Sequence, residues 1–384
     1  MKLENFDFSE KVKLHPKQIS SIKNGNRPFP LTIELDLTNH CNHRCSFCVW
    51  GEHIAVDKSS LEKEIIKKCI KDMKALGTKA ITFTGGGEPM IHRNFYEILS
   101  YAKSIGLDCG LITNGSAITE KNSDLLMKNL KWIRVSISGG DKESYFKVQG
   151  KDHFELVFKN LEILCKEKKR SDSNLKVGIR MLITKENFHT LIELSKIIVS
   201  IEGINYLQIA PDHDNEDGGK FWHSKNLKEE KNKAEILLKK KNINFITSGF
   251  EILNTSESNK EEILNKPRKC YAHFYQIAIM ANGNVAFCKN ARFDEKFSIG
   301  NININTIQEI WNSEKNKEFE SWVRPNNCGL TCKNIRVNLG AEEILSAKNI
   351  ENLEKSKIDP DYKTLLEKYK KAYPSDPLDI NFVG

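Results

Sequence analysis

The chain has 384 residues, with 59 Lys and Arg against 51 Asp and Glu for a formal charge of +8, and it is 39% apolar and 29% charged. That balance belongs to a globular protein long enough for one large α/β domain and a smaller unit. The lysine excess sits in segments such as LKEEKNKAEILLKKKN, read as a solvated helix face, and neither a finger spacing nor an RNP-like run accompanies it, which argues against nucleic-acid binding.

No 18-residue apolar run is present, and the N-terminal MKLENFDFSEKVKLHPKQ lacks an apolar export core. The expected setting is the cytoplasm. There, ten cysteines do not form a disulfide framework, and those that group read as metal or cluster ligands.

In chain order, LTIELDLT (31–38) is a strand that ends before a cysteine-rich loop, CNHRCSFCVW. SSLEKEIIKKCIKDMKALG reads as a helix capped by Ser59 with Glu62, its stripe formed by Leu61, Ile65, Cys69, Met73 and Leu76. KAITFTGGGEP is a strand running into a glycine turn. NFYEILSYAKSIG (helix), DCGLITNG (strand), EKNSDLLMKNL (helix) and KWIRVSISGG (strand) continue the rhythm. DHFELVFKNLEILCKEKK, LKVGIRMLIT, NFHTLIELSKIIVSIEG and INYLQIAPD complete six strands and five helices.

Repeated βα units imply a parallel sheet covered by helices, and six are too few for an eight-stranded barrel. The fold expected is α/β: a partial (β/α)6 TIM-like barrel over 31–215, preceded by an extension (1–30). A connecting segment (216–269) follows it. A small domain over 270–340 comes next, with a hairpin in CYAHFYQIAIMANGNVAFC and an amphipathic helix in NTIQEIWNSEKNKEFESW; a helical tail (341–384) ends the chain. The four loops carrying CNHRCSFC, GGGEP, TNG and SISGG all fall at C-terminal strand ends, where ligands bind in such folds.

Cys41, Cys45 and Cys48 place three thiolates on one short loop, with His40 and His43 as flanking donors. Zinc sites usually complete four protein ligands. Three cysteines on a four-iron cluster leave one iron without a protein ligand, and Phe47 between the last two would shield such a cluster. A cluster is the leading reading, with zinc as the alternative.

CNHRCSFC, followed by GGGEP at the end of the second strand, resembles the signature of the radical S-adenosylmethionine (radical SAM) superfamily, and the likeness runs from about residue 31 to 215. The resemblance implies a [4Fe-4S] cluster on Cys41, Cys45 and Cys48 whose open iron binds the methionine moiety of SAM. Reductive cleavage then gives a 5′-deoxyadenosyl radical that abstracts hydrogen from a substrate. It further implies that Gly85, Gly86 and Gly87 meet the methionyl ammonium, with Glu88 holding their geometry. Asn114, Ser136, Ser138 and Arg180 resemble the polar positions that hold the SAM carboxylate and ribose, and Trp50 stands where it could cover the adenine. For the serines the competing reading is ordinary polar satisfaction inside the barrel, and for Trp50 it is packing.

Cys270, Cys288, Cys328 and Cys332 form a second group resembling the C-terminal SPASM extension, closer to its shortened twitch form, with one auxiliary [4Fe-4S] cluster; four thiolates also suit a structural zinc ion. Such a closed cluster suits electron transfer. The implied activity is oxidation of an alcohol carbon in a sugar or cyclitol to a ketone, with a flavodoxin- or ferredoxin-type donor. The alternatives are modification of a ribosomally made peptide, disfavoured by the roughly 30 residues before the first strand, and carbohydrate epimerisation, for which Cys109 is a candidate hydrogen donor. Cys69 and Cys165 read as core thiols, and the acidic run 212–219 as a solvated loop or a contact for an amine.

Overall fold

The computed structural model describes residues 11–12, 14–212, 224–248, 269–292, 294–322, 332 and 334–346. Six strands stand where the alternation places them: β1 (Thr32–Asp36), β2 (Ala80–Thr84), β3 (Asp108–Thr113), β4 (Trp132–Ser136), β5 (Lys176–Ile183) and β6 (Tyr206–Pro211). A seventh, β7 (Asn244–Thr247), pairs parallel with β6 after the helix Lys225–Lys239. The segment 216–269, expected to be a connection with a lysine-rich helix and a short strand, supplies both, and the strand extends the parallel sheet.

The chain forms two compact units, one of Leu35–Lys63 and Thr82–Thr255, the other of Met1–Glu34, Glu64–Ile81 and Ser256–Gly384. In the first, β3 through β7 run side by side in sequence order, every pair parallel. Ile133, Val135, Val177, Ile179, Leu207 and Ile209 alternate onto the helix-covered face and are fully buried. The covering helix Phe154–Arg170 contributes Val157, Leu161, Leu164 and Cys165 to that core. On the other face, Trp132 and Tyr206 lie over glycines: a Cβ on Gly110 or Gly178 would fall 2.2 Å and 1.9 Å from their rings. The sequence gives each aromatic its space by omitting a neighbour's side chain.

Two elements begin or break where a local hydrogen bond wins. The helix expected from Ser59 starts at Lys63. Ser59 and Ser60 instead extend along the end of β1, with Asn39 N donating to Ser59 O at 2.8 Å and Leu61 N to Leu37 O at 3.0 Å. The core face of that helix uses Ile66 and Ile70 with Cys69 and Met73, one residue on from the Ile65 expected.

In the second unit, β8 (Gln276–Ile279) and β9 (Asn284–Ala286) form the expected hairpin, with Ala278 opposite Ala286 and Gly283 at φ +89° in the turn. A third strand, β10 (Ser298–Asn301), pairs antiparallel with β9; its SIGN sequence carries no apolar alternation. The single amphipathic helix expected after it is two, Ile307–Asn312 and Glu314–Trp322. Ser313 is extended (φ −65°, ψ 151°) and its hydroxyl accepts from Asn316 N at 3.2 Å, so a capping serine divides the run.

Candidate active site

The cysteine loop leaves β1 and is held by backbone bonds to the glycine turn after β2. Gly87 N donates to Thr38 O at 3.0 Å and Glu88 N to His40 O at 2.8 Å. A Cβ on Gly87 would sit 2.0 Å from His40 O and 2.6 Å from Thr38 O, so only glycine lets the two loops approach. Two of the turn's amides are thus spent on the cysteine loop. Trp50 is 8% exposed and packs over Gly86, whose Cβ would lie 3.1 Å from its ring.

Glu88 is buried, and its carboxylate accepts from Thr113 Oγ1 at 2.6 Å, Asn114 N at 2.7 Å and Met90 N at 3.1 Å. Burial raises its pKa, and those three donors work against the rise. Glu88 therefore fixes the end of β3 to the glycine turn, the geometric part expected of it. Asn114 extends this lattice: its Nδ2 donates to Asn42 Oδ1 at 2.8 Å, and its Oδ1 accepts from Ser116 N and Oγ.

Gln149, which sequence reasoning passed over, holds the opposite side. Its Oε1 accepts from Ser138 N at 2.6 Å, while its Nε2 donates to Ser136 O at 3.2 Å and lies 3.4 Å from His43 Nδ1. His43 Nε2 is 3.1 Å from His153 Nδ1. Burial first, then the neighbouring His153 and Lys151, lower the His43 pKa to about 4, which keeps it neutral. His43 is thereby occupied in holding the loop.

Ser136 and Arg180 are register partners on β4 and β5, so their side chains share one face. Ser138 is buried, and its hydroxyl accepts from Leu182 N at 3.1 Å, a bond that ties β5 to the chain after β4. Cys109 corrects the epimerase expectation. It is 0% exposed, alternates to the face of β3 opposite Ile112 and Asn114, and burial pushes its thiol up to about 12. A thiol so placed does not meet a substrate on the other face. Cys69 and Cys165 are buried as expected.

Cys41, Cys45 and Cys48 are each half-buried. Burial raises all three thiols, and Cys45 rises furthest, first through burial and then through its neighbours Cys48 and Cys41. Phe47, between the last two, is half-buried as well. Thiols held protonated in this way are a donor set that a cationic centre reverses, since coordination deprotonates a thiol. Among the described residues no three His, Cys, Asp or Glu gather closely enough for a single metal ion. A cluster places each thiol on a different iron and so accepts the trio. Cys270, Cys288 and Cys332 are also half-buried. Cys328 and residues 213–219 of the acidic run lie outside the described residues.

Family comparison agrees with this geometry. The radical SAM superfamily profile matches residues 35–198, and that of the SPASM iron–sulfur cluster-binding domain matches 270–333. The chain carries a radical SAM domain and a C-terminal SPASM domain, and these domains imply SAM and iron–sulfur clusters as cofactors. Similar curated proteins include a probable GTP 3′,8-cyclase of Thermococcus kodakarensis, 31% identical over 134 residues, 35% of this chain and 43% of that protein. The chain spans about half the length of the curated relatives it matches, 43% and 59% for two such cyclases.

Among solved structures, Streptococcus suis SuiB bound to its precursor peptide SuiA aligns with a TM-score of 0.62 at 17% identity, over 84% of this chain and 74% of that one. Native anSMEcpe with bound AdoMet and Cp18Cys peptide aligns with a TM-score of 0.54 at 19% identity, over 92% of this chain and 99% of that one. At these identities the likeness is one of fold. No helix among the described residues is long and apolar enough to cross a membrane.

Proposed function

We propose that the chain modifies a peptide by radical SAM chemistry, removing a hydrogen atom from a residue of the substrate, whose radical then loses a proton and passes one electron to an auxiliary cluster. The observation that carries this reading is the extent of the fold likeness. It covers 84% and 92% of the chain in two proteins whose structures hold peptides. This reverses the order of the two substrate classes expected from sequence, where a sugar or cyclitol alcohol stood first.

In this reading Cys41, Cys45 and Cys48 hold a [4Fe-4S] cluster, which when bound supplies the electron that cleaves SAM. Gly85, Gly86, Gly87 and Glu88 shape the turn that meets the methionyl ammonium. Asn114, Ser136 and Arg180 offer polar groups to the carboxylate and ribose, Ser138 does so through the chain it anchors, and Phe47 and Trp50 exclude water beside them. Cys270, Cys288, Cys328 and Cys332 close the auxiliary [4Fe-4S] cluster, leaving it an electron acceptor, and a flavodoxin- or ferredoxin-type protein reduces the first.

The test supplies anaerobically reconstituted, reduced enzyme with SAM and, separately, short peptides encoded beside its gene and a panel of aminosugars and cyclitols. Peptide products lighter by two hydrogens, with one 5′-deoxyadenosine formed per product, support the proposal. Turnover of the sugars alone sinks it and restores the alcohol oxidation.

A further inference from the structure

Tyr145 lies on the helix Lys142–Gln149, fully buried, and among the described residues its hydroxyl has no hydrogen-bond partner. A buried donor left unsatisfied is destabilising, and phenylalanine would make the same ring contacts. Those are edge contacts to Phe154 at 5.7 Å and to His43 at 6.2 Å between centroids.

The helix that carries Tyr145 is bonded to the cysteine loop. The last carbonyls of this helix accept from the cysteine loop on both sides of Cys45: Val148 O from Ser46 N at 2.9 Å and Gln149 O from Arg44 N at 3.2 Å. Gly150 ends the helix at φ +64°, and a Cβ there would meet Arg44 O at 2.2 Å, so the loop is seated tightly on the helix end. Tyr145 stands one turn back from Gln149 on the same face. Burial raises the pKa of both Tyr145 and Tyr275, two tyrosines whose hydroxyls are unpartnered among the described residues, and Cys45 adds to the rise at Tyr145 but not at Tyr275.

We infer that the Tyr145 hydroxyl donates a hydrogen bond to a sulfur of the cluster held by Cys41, Cys45 and Cys48, making Tyr145 a positioning residue that sets the cluster's potential. The inference rests on the cluster reading of that cysteine trio. A donor to a cluster sulfur withdraws negative charge and favours the reduced state, so its removal drives the potential down. It also explains the unmet hydroxyl, whose partner arrives with the cofactor.

The experiment compares full-length wild type, Tyr145→Phe and Tyr275→Phe, each without iron and after anaerobic reconstitution. Redox titration is followed by the electron paramagnetic resonance signal that SAM perturbs, and melting temperature is read in both states. Tyr145→Phe is expected to shift the midpoint of that signal to more negative potential. Its melting temperature should be unchanged or higher without iron and lower than wild type when loaded. Tyr275→Phe should leave the midpoint where it is. An unmoved midpoint in Tyr145→Phe, or equal destabilisation with and without iron, overturns the inference. A wild type with no SAM-responsive signal overturns instead the cluster reading beneath it.

Discussion

Glu88 is a buried carboxylate with two donors at the end of β3, Thr113 Oγ1 and Asn114 N, and a third, Met90 N, two residues along its own segment. Glutamine in its place turns an amide toward at least one of those donors, so Glu88→Gln is expected to cost about 1–3 kcal/mol in urea unfolding and to weaken SAM binding with it. A variant as stable as wild type would remove Glu88 from the lattice. Glu34 makes a second residue-scale case in the other unit. Its buried carboxylate pairs with Arg292 and lies 3.4 Å from Lys289, and it accepts from Gln276 Nε2 at 2.9 Å.

Burial alone would raise the Glu34 pKa, but Arg292 and Lys289 override it and bring the value down from 4.5 to about 2. Because the folded value is the lower one, the pair's stabilisation is complete above pH 4.5 and fades as pH falls toward 2. Glu34→Gln strands two buried cations and is expected to cost about 3–5 kcal/mol at neutral pH, with the gap to wild type narrowing in acid. A gap that stays constant between pH 6 and pH 3 would contradict it. The cysteines and Glu88 could be read from the sequence because each sits within a motif. Asn42 and Gln149 could not, since their partners Asn114 and His43 stand 72 and 106 positions away.

Among the elements, the first six strands were legible because period-two runs of Ile, Val and Leu meet glycine or polar turns at both ends. The helix Lys142–Gln149 was not. It has eight residues and leaves Phe146 exposed while burying Ser144 and Gln149, so no apolar stripe marks it. Its one signal is Asp141, whose side chain accepts from Ser144 N at 2.7 Å as an N-cap. This overlooked helix carries the seat of the cysteine loop. Gly150→Ala forces a left-handed alanine, costing about 1–2 kcal/mol, and drives a methyl into Arg44 O. Its expected signature is lost iron incorporation with little change in helical circular dichroism; full iron loading would show that the seat tolerates displacement.

At the scale of the whole molecule, cysteine groups fall in each of the two units, and the matched family profiles cover both. Full reconstitution is expected to give about eight irons per chain. Replacing Cys270, Cys288, Cys328 and Cys332 by alanine should leave about four, while an equivalent of zinc in place of the second four would return the structural-zinc alternative. The central claim is tested most directly by reductive cleavage of SAM, measured as 5′-deoxyadenosine released by anaerobic, dithionite-reduced protein. Wild type is expected to release it, and the triple Cys41→Ala, Cys45→Ala, Cys48→Ala variant to release none while keeping its second cluster; equal release by the two proteins would contradict the account.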